Sequence, residues 1–566
     1  MMTESDRFKI NSNDYMDLIV EYNQNIKIFD RFPEGTVHIM NDIFAIIYVP
    51  KDAIRTGYIS LEGYSLFPTC YGLTSQGSLD ASGVTRLRRM PNFNLRGHGV
   101  VIGIVDTGID YTNPVFRNAD GSTRIAYLWD QSIETGNHPM PYNFGTEYTR
   151  EDINRALTSI NPLEVVPSVD VNGHGTMLAG VSAGSEVPSN DFSGVAPDTD
   201  LIIVKLKPAK QVIRNIFVIP DNVVCFQEND IMWGVQYCID RARILQHPIS
   251  VCIGLGSSQG SHDGRGSLSY FLSVVSNYTG VVASVAAGNE GEANRHFYDE
   301  IESAIGYSNV QLNVGEGEHG FSMELWGTAP NSYSIDITSP SNEYIPRIPE
   351  SIRVNREISF IFEDTTISVD YEMVESSTGD QLILMRFRNP SPGIWDFKVY
   401  TRGDLQGSFH IWLPSDDFIG PDTYFLQADP YTTITSPGNS PVPITCTAYN
   451  TRNNSLYRRA GKGYTRGNEI KPDIAAPGVD VLGPTLQKGF TNFTGTSVAA
   501  AYTSGIIAMI LEWAIVKGNY QGVDSVEIKK FIIRGAERNP QLLYPNRDWG
   551  YGILNVFNVF NTLRVR

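Results

Sequence analysis

The stretch Phe493-Thr-Gly-Thr-Ser-Val-Ala-Ala-Ala501 places one hydroxyl, that of Ser497, where a turn of small residues meets a helix-forming apolar run. A serine there can be a nucleophile. Its backbone N–H stands at a helix N-terminus, where unpaired amides and the positive end of the macrodipole favour a developing oxyanion. Taken alone, Ser497 reads equally well as part of an ordinary capped helix start. A nucleophilic serine also needs a histidine to take its proton and a carboxylate to hold that histidine in the right tautomer. Among the nine histidines, His174 stands apart, flanked by glycines in Asn172-Gly-His-Gly-Thr176 and followed by the small-residue run Met177-Leu-Ala-Gly180. The glycines permit close backbone approach, and the run can start a helix. The other histidines have no comparable setting, and an ordinary surface or core role suits them.

The carboxylate candidate is Asp106, which ends the continuous apolar run Val100–Val105. Such a run fits a parallel strand buried on both faces, and open α/β sheets build their sites at the C-terminal ends of such strands. Asp110 is a weaker rival because it lies past the glycine turn Thr107-Gly-Ile109. A second buried strand, Val281–Val285, runs into Ala286-Ala-Gly-Asn289, putting a side-chain amide on a turn. A tetrahedral oxyanion needs such a donor beside the serine N–H, so Asn289 is the oxyanion-hole candidate.

The chain order aspartate, histidine, serine is that of subtilisin. In the four boxes Asp106-Thr-Gly108, Gly173-His-Gly-Thr176, Ala287-Gly-Asn289 and Gly495-Thr-Ser497, the sequence resembles the subtilisin-like serine proteases, or subtilases. The resemblance implies a serine endopeptidase on a parallel α/β sheet with helices on both faces. It further implies a catalytic triad of Asp106, His174 and Ser497, and no cofactor. Gly254-Leu255-Gly256 and Ala286-Ala287-Gly288 align with the family's substrate-lining strands, although plain sheet structure is their alternative reading.

The chain also departs from the family. Subtilases usually follow the serine with Met-Ala-x-Pro-His, whereas here Val498-Ala-Ala-Ala-Tyr502 lacks the proline; alanine is the better helix former, so the helix should persist. Met177 replaces a second histidine, outside the triad chemistry. Nine residues past Asp106, where many subtilases carry a calcium-ligating carboxylate, this chain has Val115. A valine offers calcium no side-chain oxygen, and the loop Ser185–Phe192 lacks the family's ligand pattern, so no metal is expected there.

At 566 residues the chain exceeds a lone subtilase core. Residues 1–76 are expected to form a small α+β prodomain, with a helix around Tyr15–Tyr22 and strands at Thr36–Met40 and Phe44–Val49. Subtilase prodomains chaperone folding and leave their last strand in the substrate groove, by strand addition. Family spacing puts the processing site between Gln76 and Gly77 and makes Tyr71–Gln76 the tail. The core then spans 77–301 and 431–566, interrupted at 302–430 by short strand-like runs that suggest an inserted β-sandwich or jelly roll. These runs are Tyr333–Thr338, Ser359–Val374, Gln381–Phe387, Ile394–Tyr400 and Phe409–Leu413, with Trp326, Trp395 and Trp412 as core bulk. The insertion is expected to add rigidity that resists self-digestion; an exosite for a partner is the alternative. Between Asp130 and Asp170 surface loops are expected.

The net charge of −18, with a pI near 5.0, makes nucleic acid and anionic membranes poor partners. Met1–Asn11 carries no basic-plus-apolar signal, and the apolar run Gly505–Leu511 is too short to span a bilayer. Five scattered cysteines without metal-ligand spacing suit buried free thiols in a reducing compartment. Synthesis in the cytoplasm is therefore the expected localisation; packaging into a spore is implied by the resemblance that follows. Prodomain, insertion and the Gly-Thr-Ser-Val-Ala-Ala box together resemble the Csp group of clostridial spore germination proteases. That resemblance implies a protein substrate, the proenzyme of a spore cortex-lytic hydrolase, with the chain's own prodomain and sibling Csp proteins as partners. Two competing functions are a non-catalytic germinant-signalling scaffold, of the kind formed by siblings lacking triad residues, and a general intracellular degradative subtilase.

Overall fold

The computed structural model describes residues 4–53, 63–73, 82–88, 93–302, 305–349, 355–403 and 405–563. Its centre is a parallel sheet. Across it run Ile474–Val479, Ile444–Asn450, Val281–Ala286, Ile249–Ile253, Val101–Asp106, Asp200–Lys205 and Ile125–Asp130, with Thr146–Thr149 added antiparallel at one edge. The interiors of the parallel strands are largely apolar because helices cover both faces. Their two-residue period divides them: Ile102, Ile104, Leu201 and Ile203 face one cluster, and Val101, Val105, Ile202 and Val204 face the other. The first cluster holds the helices His174–Ala183 and Thr496–Leu511, and the second holds Glu228–Leu245 and Ser267–Val275.

The N-terminal unit pairs the helix Glu4–Asn11 with a three-stranded antiparallel sheet ordered Tyr15–Glu21, Phe44–Pro50, Thr36–Ile39. The helix expected around Tyr15–Tyr22 is therefore a strand. Its alternate residues are buried on both sides: Ile19 joins the core cluster, while Met16, Leu18 and Val20 join another. The apolar run reflects two covered faces of a pleat, not one stripe of a helix. Asp17 on this strand is fully buried, ion-paired with Lys210 and hydrogen-bonded by Asn229 at 2.9 Å.

Between His296 and Phe425 two antiparallel sheets pack face to face, joined by Phe321, Met323, Leu325 and Phe387 from one and Val310, Ile335, Trp395 and Phe397 from the other. Only Trp395 of the three expected tryptophans fills this interior. Trp326 and Trp412 lie on the opposite face of the first sheet, in a cluster with Tyr64, Phe67 and Phe217. The run expected as one strand over Ser359–Val374 belongs instead to a hairpin, Asn355–Ser359 and Thr366–Glu372, because the turn Phe360–Thr365 near its start folds back through Phe360 N–H to the Thr365 carbonyl at 3.1 Å.

Asp130–Asp170 is more ordered than the expected loops. It carries the edge strand Thr146–Thr149 and the helix Arg150–Thr158, begun by a reciprocal capping box between Thr149 and Asp152. Thr496–Val516 forms one continuous helix of 21 residues, longer than the expected Gly505–Leu511 run and long and apolar enough to cross a membrane by length and composition. It lies inside this fold instead, with every residue from Thr496 to Leu511 buried.

Candidate active site

Asp106 shares parity with Ile102 and Ile104, so the pleat aims its carboxylate at the layer that holds the His174 and Ser497 helices. The His174 helix begins on Gly173, whose φ of 93° favours glycine. Each of its first amides has a partner: Asn172 Oδ1 accepts from His174 N–H at 3.2 Å, Thr107 Oγ1 from Gly175 N–H at 2.9 Å, and Asp170 Oδ2 from Thr176 N–H at 3.0 Å. Asp170 also accepts from the Thr176 hydroxyl at 2.7 Å and the Gly173 amide at 2.8 Å. Gly175 has to be glycine because a Cβ there would collide with the Gly108 carbonyl.

These constraints bring the three expected residues together. His174 Nδ1 stands 2.7 Å from Asp106 Oδ1, and His174 Nε2 stands 3.2 Å from Ser497 Oγ. Asp106 and Ser497 are fully buried and His174 is 5% exposed. Thr107 N–H also donates to Asp106 Oδ1, at 2.8 Å, which steadies the carboxylate. Asp110 is not part of this chain of contacts; its carboxylate accepts from Thr112. Gly254 lies against the triad, where a Cβ would come within 3.0 Å of both His174 Cε1 and Ser497 Cβ.

Asn289 follows the Val281–Ala286 strand and meets the first residue of the serine helix. Its Oδ1 accepts from Thr496 N–H at 3.3 Å and lies 3.2 Å from the Thr496 hydroxyl, which leaves Nδ2 as the donor atom. The Thr496 hydroxyl also accepts from the Gly288 N–H and faces the Gly288 carbonyl, each at 3.1 Å. Thr496 lies inside the serine box and Asp170 four residues before His174, and neither carries a local sign of its role. Both act by fixing a neighbour, which only the fold reveals.

The substrate-lining candidates form two walls. Leu255–Gly256 is a short strand paired antiparallel with Cys70–Leu73, in register Leu255 with Leu73 and Gly256 with Gly72. On its other edge Cys70–Leu73 pairs with Phe226–Gln227, so the segment is held as the middle strand of three. Ala286, Ala287 and Gly288 end the neighbouring core strand, and Thr435 is wedged between Gly256 and Gly288. Gln76 and Gly77 lie outside the described residues.

Val115 presents its carbonyl, not a carboxylate. That oxygen accepts from Arg124 Nη2 at 3.0 Å, and the Thr199 carbonyl accepts from Nη1 at 2.8 Å; the Ala183 carbonyl is a third acceptor. A buried guanidinium thus gathers these carbonyls, at the cost of a pKa lowered by burial to about 10. Among the described residues no group of three His, Cys, Asp or Glu side chains is placed to hold a metal. All five cysteines are buried and free, and burial pushes the Cys446 thiol up to about 12.

The geometry has close counterparts among known proteins. The profile of the subtilase family matches residues 97–314 and 422–552, more than half of the chain. The chain belongs to the subtilase family. It is 25% identical to the subtilisin-like protease SBT3.1 of Arabidopsis thaliana over 73% of its own length and 53% of that protein's. It is 35% identical to a C5a peptidase of Streptococcus pyogenes over 73% of its own length and 34% of that protein's. The chain thus spans about half the length of the plant relatives and a third of the streptococcal one. The structure of the Clostridium perfringens CspB protease superposes with a TM-score of 0.76 at 29% identity, covering 86% of this chain and 98% of that one. This subtilase therefore resembles a Csp protease through nearly its whole architecture, including segments outside the two stretches that the family profile matches.

Proposed function

We propose that this subtilase is an active serine endopeptidase with Asp106, His174 and Ser497 as its catalytic triad. The observation that carries the reading is the continuous chain from Ser497 Oγ to His174 Nε2 at 3.2 Å and from His174 Nδ1 to Asp106 Oδ1 at 2.7 Å. His174 takes the serine proton as Oγ attacks a peptide carbonyl, and Asp106 orients the ring and supports the imidazolium. Asn289 Nδ2 and the Ser497 N–H hold the oxyanion. His174 then protonates the leaving amine, and water hydrolyses the acyl-enzyme by the same relay.

Substrates enter as an added strand against Leu255–Gly256, in the slot that Cys70–Leu73 fills in this structure. The tail thus acts as the first substrate, with self-processing at Gln76–Gly77, a few residues beyond Leu73, and the prodomain remaining bound as an inhibitor. The likeness to the CspB protease supports a place in the Csp group, whose protein substrate is the proenzyme of a spore cortex-lytic hydrolase. A non-catalytic scaffold is the weaker reading. Loss of the triad serine or histidine costs about a millionfold in turnover, and a chain freed from catalysis has no need to keep all four groups.

A fluorophosphonate probe tests the reading. Wild-type protein labels at Ser497 and Ser497→Ala does not, and intact mass places the wild-type N-terminus near Gly77 while Ser497→Ala stays full length. Equal truncation of both chains rules out self-processing; absence of Ser497-dependent labelling after the N-terminal unit is removed rules out the active protease.

A further inference from the structure

The face of the inserted sheet that points away from its own sandwich packs on the core through Phe217 and His262, and it also covers the segment leading into the tail strand. Tyr64, 5% exposed, stands edge-on to Trp326 and Phe217, with ring centroids 5.8 Å and 6.2 Å away. Its hydroxyl donates to Glu324 Oε1 at 2.7 Å, and its backbone N–H donates to Glu372 Oε2 at 2.9 Å. Glu324 is 2% exposed, and its other oxygen accepts from Trp326 Nε1 at 3.1 Å and from Gly260 N–H at 2.9 Å. Gly260 lies just past the groove strand Leu255–Gly256. One carboxylate of the insertion thus ties an N-terminal tyrosine to the loop that follows Leu255–Gly256.

Packing alone does not require this arrangement. A phenylalanine would fill the same aromatic slot, yet the slot ends in a buried carboxylate that needs donors, and a tyrosine supplies one. If Tyr64 leaves, Glu324 keeps two donors, one of them in the loop that follows Leu255–Gly256, so a change in the slot reaches that loop.

We infer that the inserted sheet carries a tyrosine-binding site whose occupant is Tyr64, and that this site latches the N-terminal unit over the active-site groove. The inference rests on the protease reading and deepens it: the insertion regulates access to Ser497 by holding the strand Cys70–Leu73 in place from a point outside the groove.

The test uses the full-length chain with Tyr64→Ala, Tyr64→Phe and Glu324→Gln, and two readouts. Hydrogen exchange at the amides of Cys70–Leu73 reads the latch without reference to catalysis, and the rate of Ser497 labelling by a fluorophosphonate reads groove access. In Tyr64→Phe both rise by about tenfold, the scale of one charge-assisted hydrogen bond, and in Tyr64→Ala, which also loses the ring packing, they rise further. Glu324→Gln keeps an acceptor for the tyrosine and falls between wild type and Tyr64→Phe. If Tyr64→Ala is too unstable to purify, Tyr64→Phe carries the test. Wild-type exchange and labelling rates in the folded variants overturn the latch and leave the protease reading standing. Faster exchange with no Ser497-dependent labelling in any chain keeps the latch and removes the protease.

Discussion

Asn289 and Thr496 show how little freedom the site leaves its residues. With Oδ1 engaged by Thr496, the asparagine can turn only Nδ2 toward a developing oxyanion. Asn289→Ala should lower kcat about a hundred- to a thousandfold with KM little changed, because that donor acts in the transition state. Thr496→Val removes the hydroxyl beside Asn289 and Gly288 while keeping the backbone bond, so steady-state kinetics should give a smaller loss, again in kcat. A loss confined to KM in either variant would place Asn289 in substrate binding instead. These two residues differ in legibility. Asn289 stood out because an amide on a glycine turn after a buried strand has a chemical meaning on its own. Thr496 did not, because its meaning is the partner it fixes, 207 residues away in the chain.

Helix termini and strand ends do the positioning at the scale of elements. The His174 helix presents its base only if its first turn is pinned, and Asp170 supplies four of the hydrogen bonds there, to Asn172, Gly173 and both donors of Thr176. Asp170→Ala should cost about 2 kcal/mol, read by urea denaturation, as loss of an N-terminal cap does. It should also lower kcat more than KM, since the imidazole loses its fixed height. An unchanged kcat would mean that Thr107 and Asn172 hold the helix unaided. The serine helix is anchored differently. Its apolar surface is fixed in rotation by Ser284 Oγ on the Ala500 carbonyl at 3.0 Å, by Ser250 to Ser504 at 2.7 Å, and by Ser82 on the Tyr502 hydroxyl. Tyr502 stands where the family usually has histidine, and its hydroxyl ties the helix to Ser82, near the start of the core. The parallel strands were legible as unbroken apolar runs, whereas the Tyr15–Glu21 strand was not. A short apolar run has no period of its own until it is known what covers each face.

Three units meet around the groove in the whole molecule, and many charges and rings are buried between them. His38, on the N-terminal sheet, packs against Trp233 of the core with ring centroids 4.5 Å apart, and burial lowers its pKa to about 4. The fold therefore favours the neutral ring. Between pH 6.5 and 4 the unfolded chain takes up a proton that the folded chain refuses, so stability falls as pH falls, by on the order of 3 kcal/mol for this group. Buried carboxylates oppose the trend: Glu372 is raised by burial to about 7, and burial also raises Asp230. Comparing His38→Phe with wild type isolates the histidine. The variant's melting temperature should drop less between pH 6.5 and 4; parallel curves would show that His38 is not kept neutral by docking.

The sequence by itself determined which residues are candidates for the chemistry and which strands form the core beneath them. Each triad group lies in a short box whose glycines and apolar flanks dictate a strand end or a helix start, and parity along Val101–Asp106 aims the carboxylate correctly. Only the tertiary structure decided which surface covers which. Tyr64 and Glu324 are separated by 260 residues, and Asp17 and Lys210 by 193, and nothing local marks either pair. The physical reason is that a catalytic residue is recognised by what it must do next to its own neighbours in the chain. A docking residue is defined by the distant side chain that satisfies it, and that partner exists only once the fold has brought the two together.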